Sequence, residues 1–301
     1  MRALVVVPAV LALVALPAVV SGQPAHIRNG QVTVVSPAAP LTSSFRGLVA
    51  AEAGVAWIGY AVPTGPRSGT SCCVHAGSGE SGLLVSGCPL ERGTPEGVTG
   101  ARGTPTASNA APLVRLEPPD RAYVMFRVLD RQVERIRVFT EGCELDAGGR
   151  VVRWLESVRP AESVELLASF VSAGDRRNGV VNGGLSALAM HAAPEATDAL
   201  IDLARQHGLP AVRGQALFWL GQKAGEKAAA EITARIEDDP DTEVKRRAVF
   251  ALSQLPPDQG VPLLIKVART QGNPAVKKHA FFWLGQSKDP RAVEFFAEVL
   301  R

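Results

Sequence analysis

The heptapeptide Ala216-Leu217-Phe218-Trp219-Leu220-Gly221-Gln222 returns as Ala248-Val249-Phe250-Ala251-Leu252-Ser253-Gln254 and again as Ala280-Phe281-Phe282-Trp283-Leu284-Gly285-Gln286, 32 residues further on each time. A fixed spacing of roughly 20–50 residues is the signature of stacked repeats, because one such unit cannot bury its apolar face alone and several together can. Each unit reads as two helices. In one of them Val244, Ala248, Ala251 and Leu252 recur at helical spacing up to Pro256-Pro257, and Asp258 opens a second helix through Leu263, Leu264, Val267 and Ala268. The same shift aligns Leu188, Leu220, Leu252 and Leu284 on the first helices, and Leu200, Ile232, Leu264 and Phe296 on the second. An apolar stripe repeated in this way predicts an all-α solenoid.

Two segments carry a resemblance. Asp241-Thr242-Glu243-Val244-Lys245-Arg246-Arg247-Ala248, with Ala251-Leu252-Ser253 and Val261-Pro262-Leu263-Leu264 after it, is one. Asn273-Pro274-Ala275-Val276-Lys277, leading to Leu284-Gly285 and Asp289-Pro290-Arg291-Ala292-Val293, is the other. Both resemble HEAT repeats of the short bacterial kind found in phycobilisome lyases. That resemblance implies a family of adaptors, chromophore lyases and di-iron deoxyhypusine hydroxylases. The hydroxylases hold iron with His-Glu pairs. Here His191 is followed by Ala192, His207 by Gly208 and His279 by Ala280, and no His-Glu dipeptide occurs anywhere in the chain. The resemblance therefore implies a binding protein rather than an enzyme, with a lyase or oxidoreductase as the alternative. No catalytic, cofactor-binding or metal-ligating set is assigned.

Upstream of the repeats the pattern changes to short extended runs. Val55–Val62, Gly82–Val85 and Leu113–Leu116 read as strands, and Tyr123–Leu129 with Val133–Phe139 as a hairpin turning at Asp130-Arg131-Gln132. Arg135 and Arg137 alternate with Ile136 and Val138, which predicts one wet and one buried face. The Gly-, Pro- and Ser-rich stretches from Thr64 to Ser71 and from Gly93 to Ala111 read as loops. Val151–Leu155 is open to two readings, the last strand of this region or the start of a degenerate helical unit reaching Val171. The fold class is thus α+β with two domains: a small, mainly-β domain over residues 23–150 and a HEAT-like solenoid over 151–301.

Residues 1–22 stand apart. Arg2, an apolar run from Ala3 to Val20 and the small pair Ser21-Gly22 have the layout of a secretory signal, with cleavage expected after Gly22. Pro8 and Pro17 weaken the alternative of an uncleaved anchor. The expectation is a periplasmic or secreted protein with no stable membrane insertion after cleavage. In an oxidising compartment Cys72, Cys73, Cys88 and Cys143 read as two disulfides, one of the adjacent pair to Cys88 and the other to Cys143. A zinc site on Cys72, Cys73, His75 and Cys88 is the weaker alternative, because adjacent cysteines are poor spacing for tetrahedral coordination.

From Pro160 onward 17 basic residues face 17 acidic ones, so no one-signed field marks a nucleic-acid binder. The expected partner is another protein. Arg213, Lys245 and Lys277 recur at the repeat spacing, either as a basic strip or as cations spent on neighbouring loop carbonyls. Gln222, Gln254 and Gln286 form either an amide row or a set of helix-end caps, and Trp219 and Trp283 either core or exposed anchors. On the last helix Val293, Phe296, Val299 and Leu300 are expected to be incompletely covered, unless they point back into the preceding repeat. The candidate interaction residues are therefore Arg213, Lys245, Lys277 and Phe296.

Overall fold

The structure, a computed structural model, describes residues 27–37, 40–65, 88–91, 119–141, 143–173 and 178–300. Cys72, Cys73, the expected strands Gly82–Val85 and Leu113–Leu116, and the expected signal segment lie outside the described residues. The architecture is α+β, with strands first and a run of helices after them.

Among the described residues the main sheet has five strands: β2 (Gln31–Val35), β3 (Ala56–Pro63), β5 (Arg121–Leu129), β6 (Gln132–Thr140) and β8 (Val151–Leu155). Their order is β2-β8-β3-β5-β6, with β8 parallel to both its neighbours and the other pairs antiparallel. A second small sheet joins β1 (Ile27–Arg28), β7 (Leu145–Asp146) and β4 (Cys88–Pro89), all parallel. The expected hairpin is β5–β6, but its loop is one residue shorter than expected. Gln132 already pairs with Leu129, and Asp130 and Arg131 alone make the turn with φ of 47° and 63°. Two consecutive residues of positive φ match the right-handed twist of the strands they join.

The sheet is covered on both faces. Ile58, Tyr60, Val124, Phe126 and Ile136 pack with Leu41, Phe45 and Leu167 on the helix side. Trp57, Tyr123, Met125, Phe139 and Trp154 pack with Cys88, Leu90, Cys143 and Leu145 on the other. This corrects the expectation of a wet Arg face on β6. Arg137 is only 9% exposed. It donates to the carbonyls of Pro89 at 2.7 Å and Leu90 at 3.0 Å and lies over the Phe139 ring. The segment that covers it is 45 or more residues away in sequence, so local alternation could not reveal it.

A helix, α1 (Leu41–Ala51), also stands where only extended runs were expected. Leu41 and Phe45 point into the core from its inner face, one turn apart.

Val151–Leu155 is a strand, which settles the two readings of that segment. It is hydrogen-bonded on both sides and Trp154 packs edge-on against Tyr123 at 5.6 Å. The helices begin with α2 (Pro160–Ser172), whose Ser163 hydroxyl lies 3.0 Å from the Tyr60 hydroxyl in the core. First helices then start 32 residues apart: α3 (Asn178–Met190), α5 (Pro210–Lys223), α7 (Thr242–Ser253) and α9 (Pro274–Gln286). The second helices are α4 (Pro194–Gln206), α6 (Glu226–Asp238), α8 (Pro257–Thr270) and α10 (Pro290–Val299). Proline at the first helical position costs no hydrogen bond, which suits Pro194, Pro210, Pro274 and Pro290 as starts. Asp241 and Asn273 cap α7 and α9 by accepting from the first free amides of each helix.

First helices stack on first helices, and α2 continues the row of second helices through α4, α6 and α8. Before α3, the place of a first helix is taken by β6. A Cβ on Gly183 would strike the Ile136 carbonyl, so the helix can lie against strand backbone only because that residue is glycine. The sheet thereby closes the near end of the helical stack, and α3 covers the β6 edge. One hydrophobic cluster runs unbroken from Leu41 through the sheet to Phe295.

Candidate functional site

The first helices bury Val212, Leu217 and Leu220, then Val244, Val249 and Leu252, then Val276, Ala280 and Leu284. With the inner face filled by aliphatic side chains, the aromatic residues of the repeat turn toward its outer side. Phe218 stacks on Phe250 at 5.8 Å with the rings 10° from parallel, and Phe250 meets Trp283 at 4.8 Å. Trp219 touches Phe218, and Phe282 touches Trp283. Phe282 is 52% exposed, while the other four are half-buried. Trp219 and Trp283 are thus neither fully core nor free anchors; they are the floor of a row.

One turn on, Gln222 donates its amide to Gln254 at 3.2 Å, an inter-repeat amide contact, and Gln286 occupies the next rung. A groove of about 260 Å³ opens at this end of the row, lined in part by Gln254, Leu255, Trp283 and Gln286. At the other end of the α9 face His279 accepts from the Trp283 indole at 3.1 Å. Burial, and then the Arg246 guanidinium, hold the His279 pKa below the usual imidazole value against the opposing pull of Glu243. A neutral ring is what that acceptor role requires.

The repeated cations are not a strip. Arg213 is 8% exposed and makes a two-pronged pair with Asp239, at 2.8 and 2.9 Å, plus a bond to the His207 carbonyl at 3.0 Å. Its place among the candidate interaction residues is corrected: the guanidinium ties α5 to the loop after α6 and is not available to a partner. Lys245 reaches the Glu237 carbonyl at 2.6 Å and is half-buried, as is Lys277. Phe296 is half-buried against Phe281 and Phe295, whereas Val293, Val299 and Leu300 on the same helix end are exposed.

The three histidines among the described residues do not converge. His191 is fully buried where β3 meets the end of α3, with Nδ1 accepting from the Ala193 amide and the Lys223 ammonium on its carbonyl at 2.7 Å. Burial, and secondarily Lys223, push its pKa down to about 4. His207 lies in a loop with Nε2 3.2 Å from the Val171 carbonyl. Among the described residues no group of three or more His, Cys, Asp or Glu is placed to hold a metal ion. Cys88 and Cys143 are both buried in the core beneath the small sheet. Among the described residues no helix is long and apolar enough to cross a membrane.

Sequence reasoning did not single out Phe218, Phe250 and Phe282 or the acid Asp239. The first three were visible at the repeat spacing. Asp239 was not, because His207 and Gln271 stand at the equivalent positions of the neighbouring units.

Antiparallel helix pairs stacked at this period, first helices in one layer and second helices in the other, form a HEAT-like solenoid. Residues 229–301 match the family described as HEAT repeats. Among solved structures it is similar to human deoxyhypusine hydroxylase in complex with glycerol, at 18% identity and a TM-score of 0.34, over 45% of this chain and 43% of that one. It is also similar to the complex of CpcE and CpcF of phycocyanin lyase from Nostoc sp. PCC7120, at 23% identity and a TM-score of 0.30, over 43% of this chain and 91% of that one. The chain therefore spans less than half of the hydroxylase chain. No curated protein matches.

Proposed function

We propose that the chain is an exported adaptor that binds another protein along the aromatic and amide row of its first helices. The observation that carries this reading is the part-exposed series Phe218, Phe250, Trp283 and Phe282, set outside a core already filled by Leu, Val and Ala. Contiguous apolar surface rimmed by polar groups marks an interaction site, and aromatic residues supply most of the energy at such sites. Gln222, Gln254 and Gln286 offer donors and acceptors alongside the rings. The balanced charge of the helical part favours recognition by shape and ring contact over long-range steering.

Export and a disulfide staple belong to the same reading. The apolar run behind Arg2 and the even cysteine count support them, and Cys88 and Cys143 share one small core. A photo-crosslinking residue placed at Phe282 in cells tests the proposal against one placed at Lys266, which is exposed on a second helix. A discrete protein adduct from position 282 alone is expected. Adducts from 266 alone, or from neither, would overturn it.

A further inference from the structure

The two edges of the main sheet are treated differently. The β6 edge lies under α3, whereas among the described residues β2 has β8 on one side and no strand on the other. In a parallel ladder the N–H and C=O of one residue point to the same neighbour, and successive residues point to opposite sides. The Gln31 amide donates to the Arg150 carbonyl at 3.0 Å, and the Val35 carbonyl accepts from Glu156 at 3.1 Å. Gln31, Thr33 and Val35 therefore face β8, and the N–H and C=O groups of Val32 and Val34 face away from it. Val34 is also 41% exposed. The segment Gln31-Val32-Thr33-Val34-Val35 has no charge and no proline, the devices that usually keep an open edge from pairing.

We infer that β2 pairs with β2 of a second copy of this chain, antiparallel, about a two-fold axis at Thr33. The open groups are self-complementary. Val32 and Val34 flank Thr33 symmetrically, so Val32 of one copy exchanges both backbone bonds with Val34 of the other, and the reverse, giving four bonds. Thr33 then faces Thr33 in the close pair between them, where threonine pairs are favourable. The exposed Val34 is covered by the second copy's Val32. No like charges are brought together within the strand, and the nearest cation, Arg153, donates to Thr33 at 3.1 Å while paired with Glu52 at 2.8 Å. The joined sheet continues across both copies and leaves the helical row open to its partner, so this inference does not rest on the proposed adaptor function.

Two five-residue strands bury less than a standard interface, so the association is weak and depends on concentration. Sedimentation of the full exported chain over about three decades of concentration, up to ~1 mM, tests it. The expected result is a mass rising from one chain toward two, with amide exchange at Val32 and Val34 slowing in step. Val34→Pro removes an outward N–H and no bond to β8, and Val34→Lys places a charge on the edge. Each is expected to weaken association about tenfold or more. A single-chain mass throughout, association retained by both variants, or protection gained in the helices and not at Val32 and Val34 would overturn the inference.

Discussion

The guanidinium of Arg213 and the carboxylate of Asp239 meet in a buried two-pronged pair that ties the start of α5 to the loop before α7. Burial alone would raise the Asp239 pKa, but the bonds from Arg213 and from the Asp241 amide outweigh it and hold the carboxyl below its ordinary value. Removing one partner of such a pair leaves a buried charge without compensation. Asp239→Ala is therefore expected to lower stability by about 3–5 kcal/mol in urea denaturation. A loss under about 1 kcal/mol would mean the pair is wet and marginal.

His191 makes acid stability a test of the junction between sheet and solenoid. Its folded pKa, about 4, lies below the ordinary 6.5, so the fold favours the neutral ring. That contribution is fully present above pH ~6.5 and is lost as pH falls toward ~4, about 3 kcal/mol at most by linkage. His279 is shifted in the same direction and contributes with the same sign. The lowered carboxylates, Asp239 among them, lose their contribution only below their ordinary value of 3.8 or 4.5. His191→Asn should flatten the stability profile between pH ~6.5 and ~4.5, measured by denaturant midpoints. An unchanged slope would place that titration elsewhere.

Gly183 tests whether the sheet closes the helical stack. A methyl group there meets the Ile136 backbone, which cannot yield as a side chain would. Gly183→Ala should cost about 1–3 kcal/mol. Gly208→Ala, where a Cβ meets nothing within 4 Å, should stay within about 0.5 kcal/mol. Equal effects from the two would deny the close contact of α3 with β6.

How much of this was legible depended on distance along the chain. The helical stack was, because three near-copies at 32 residues fix helix length, spacing and inward positions together. The β5–β6 hairpin was, because its pairing is local. The closure of the stack by β6 was not. It rests on Ile136 meeting Gly183 across 47 residues, and a glycine in a helix has several possible causes. Arg137 misled for the same reason, its cover coming from Pro89 and Leu90. At the candidate site the letters of the aromatic row were visible, but the roll of each helix decides which ring faces out.

Thiol chemistry checks the proposed disulfides. Alkylation of the denatured, unreduced chain from its native source should label no cysteine, as the even count of four predicts for an oxidising compartment. Labelling of two or more among Cys72, Cys73, Cys88 and Cys143 would sink the two-disulfide reading.

Binding of a partner protein along the aromatic and amide row is measured by titrating the protein captured through position 282 against purified variants. Phe250→Ala combined with Gln254→Ala removes the middle of the row, and near-ultraviolet circular dichroism verifies that the variant is folded. The folded double variant is expected to bind at least ~10-fold more weakly, a loss of about 1.4 kcal/mol or more. Affinity unchanged in the folded double variant, with binding abolished instead by Lys266→Glu on the second-helix face, would contradict it.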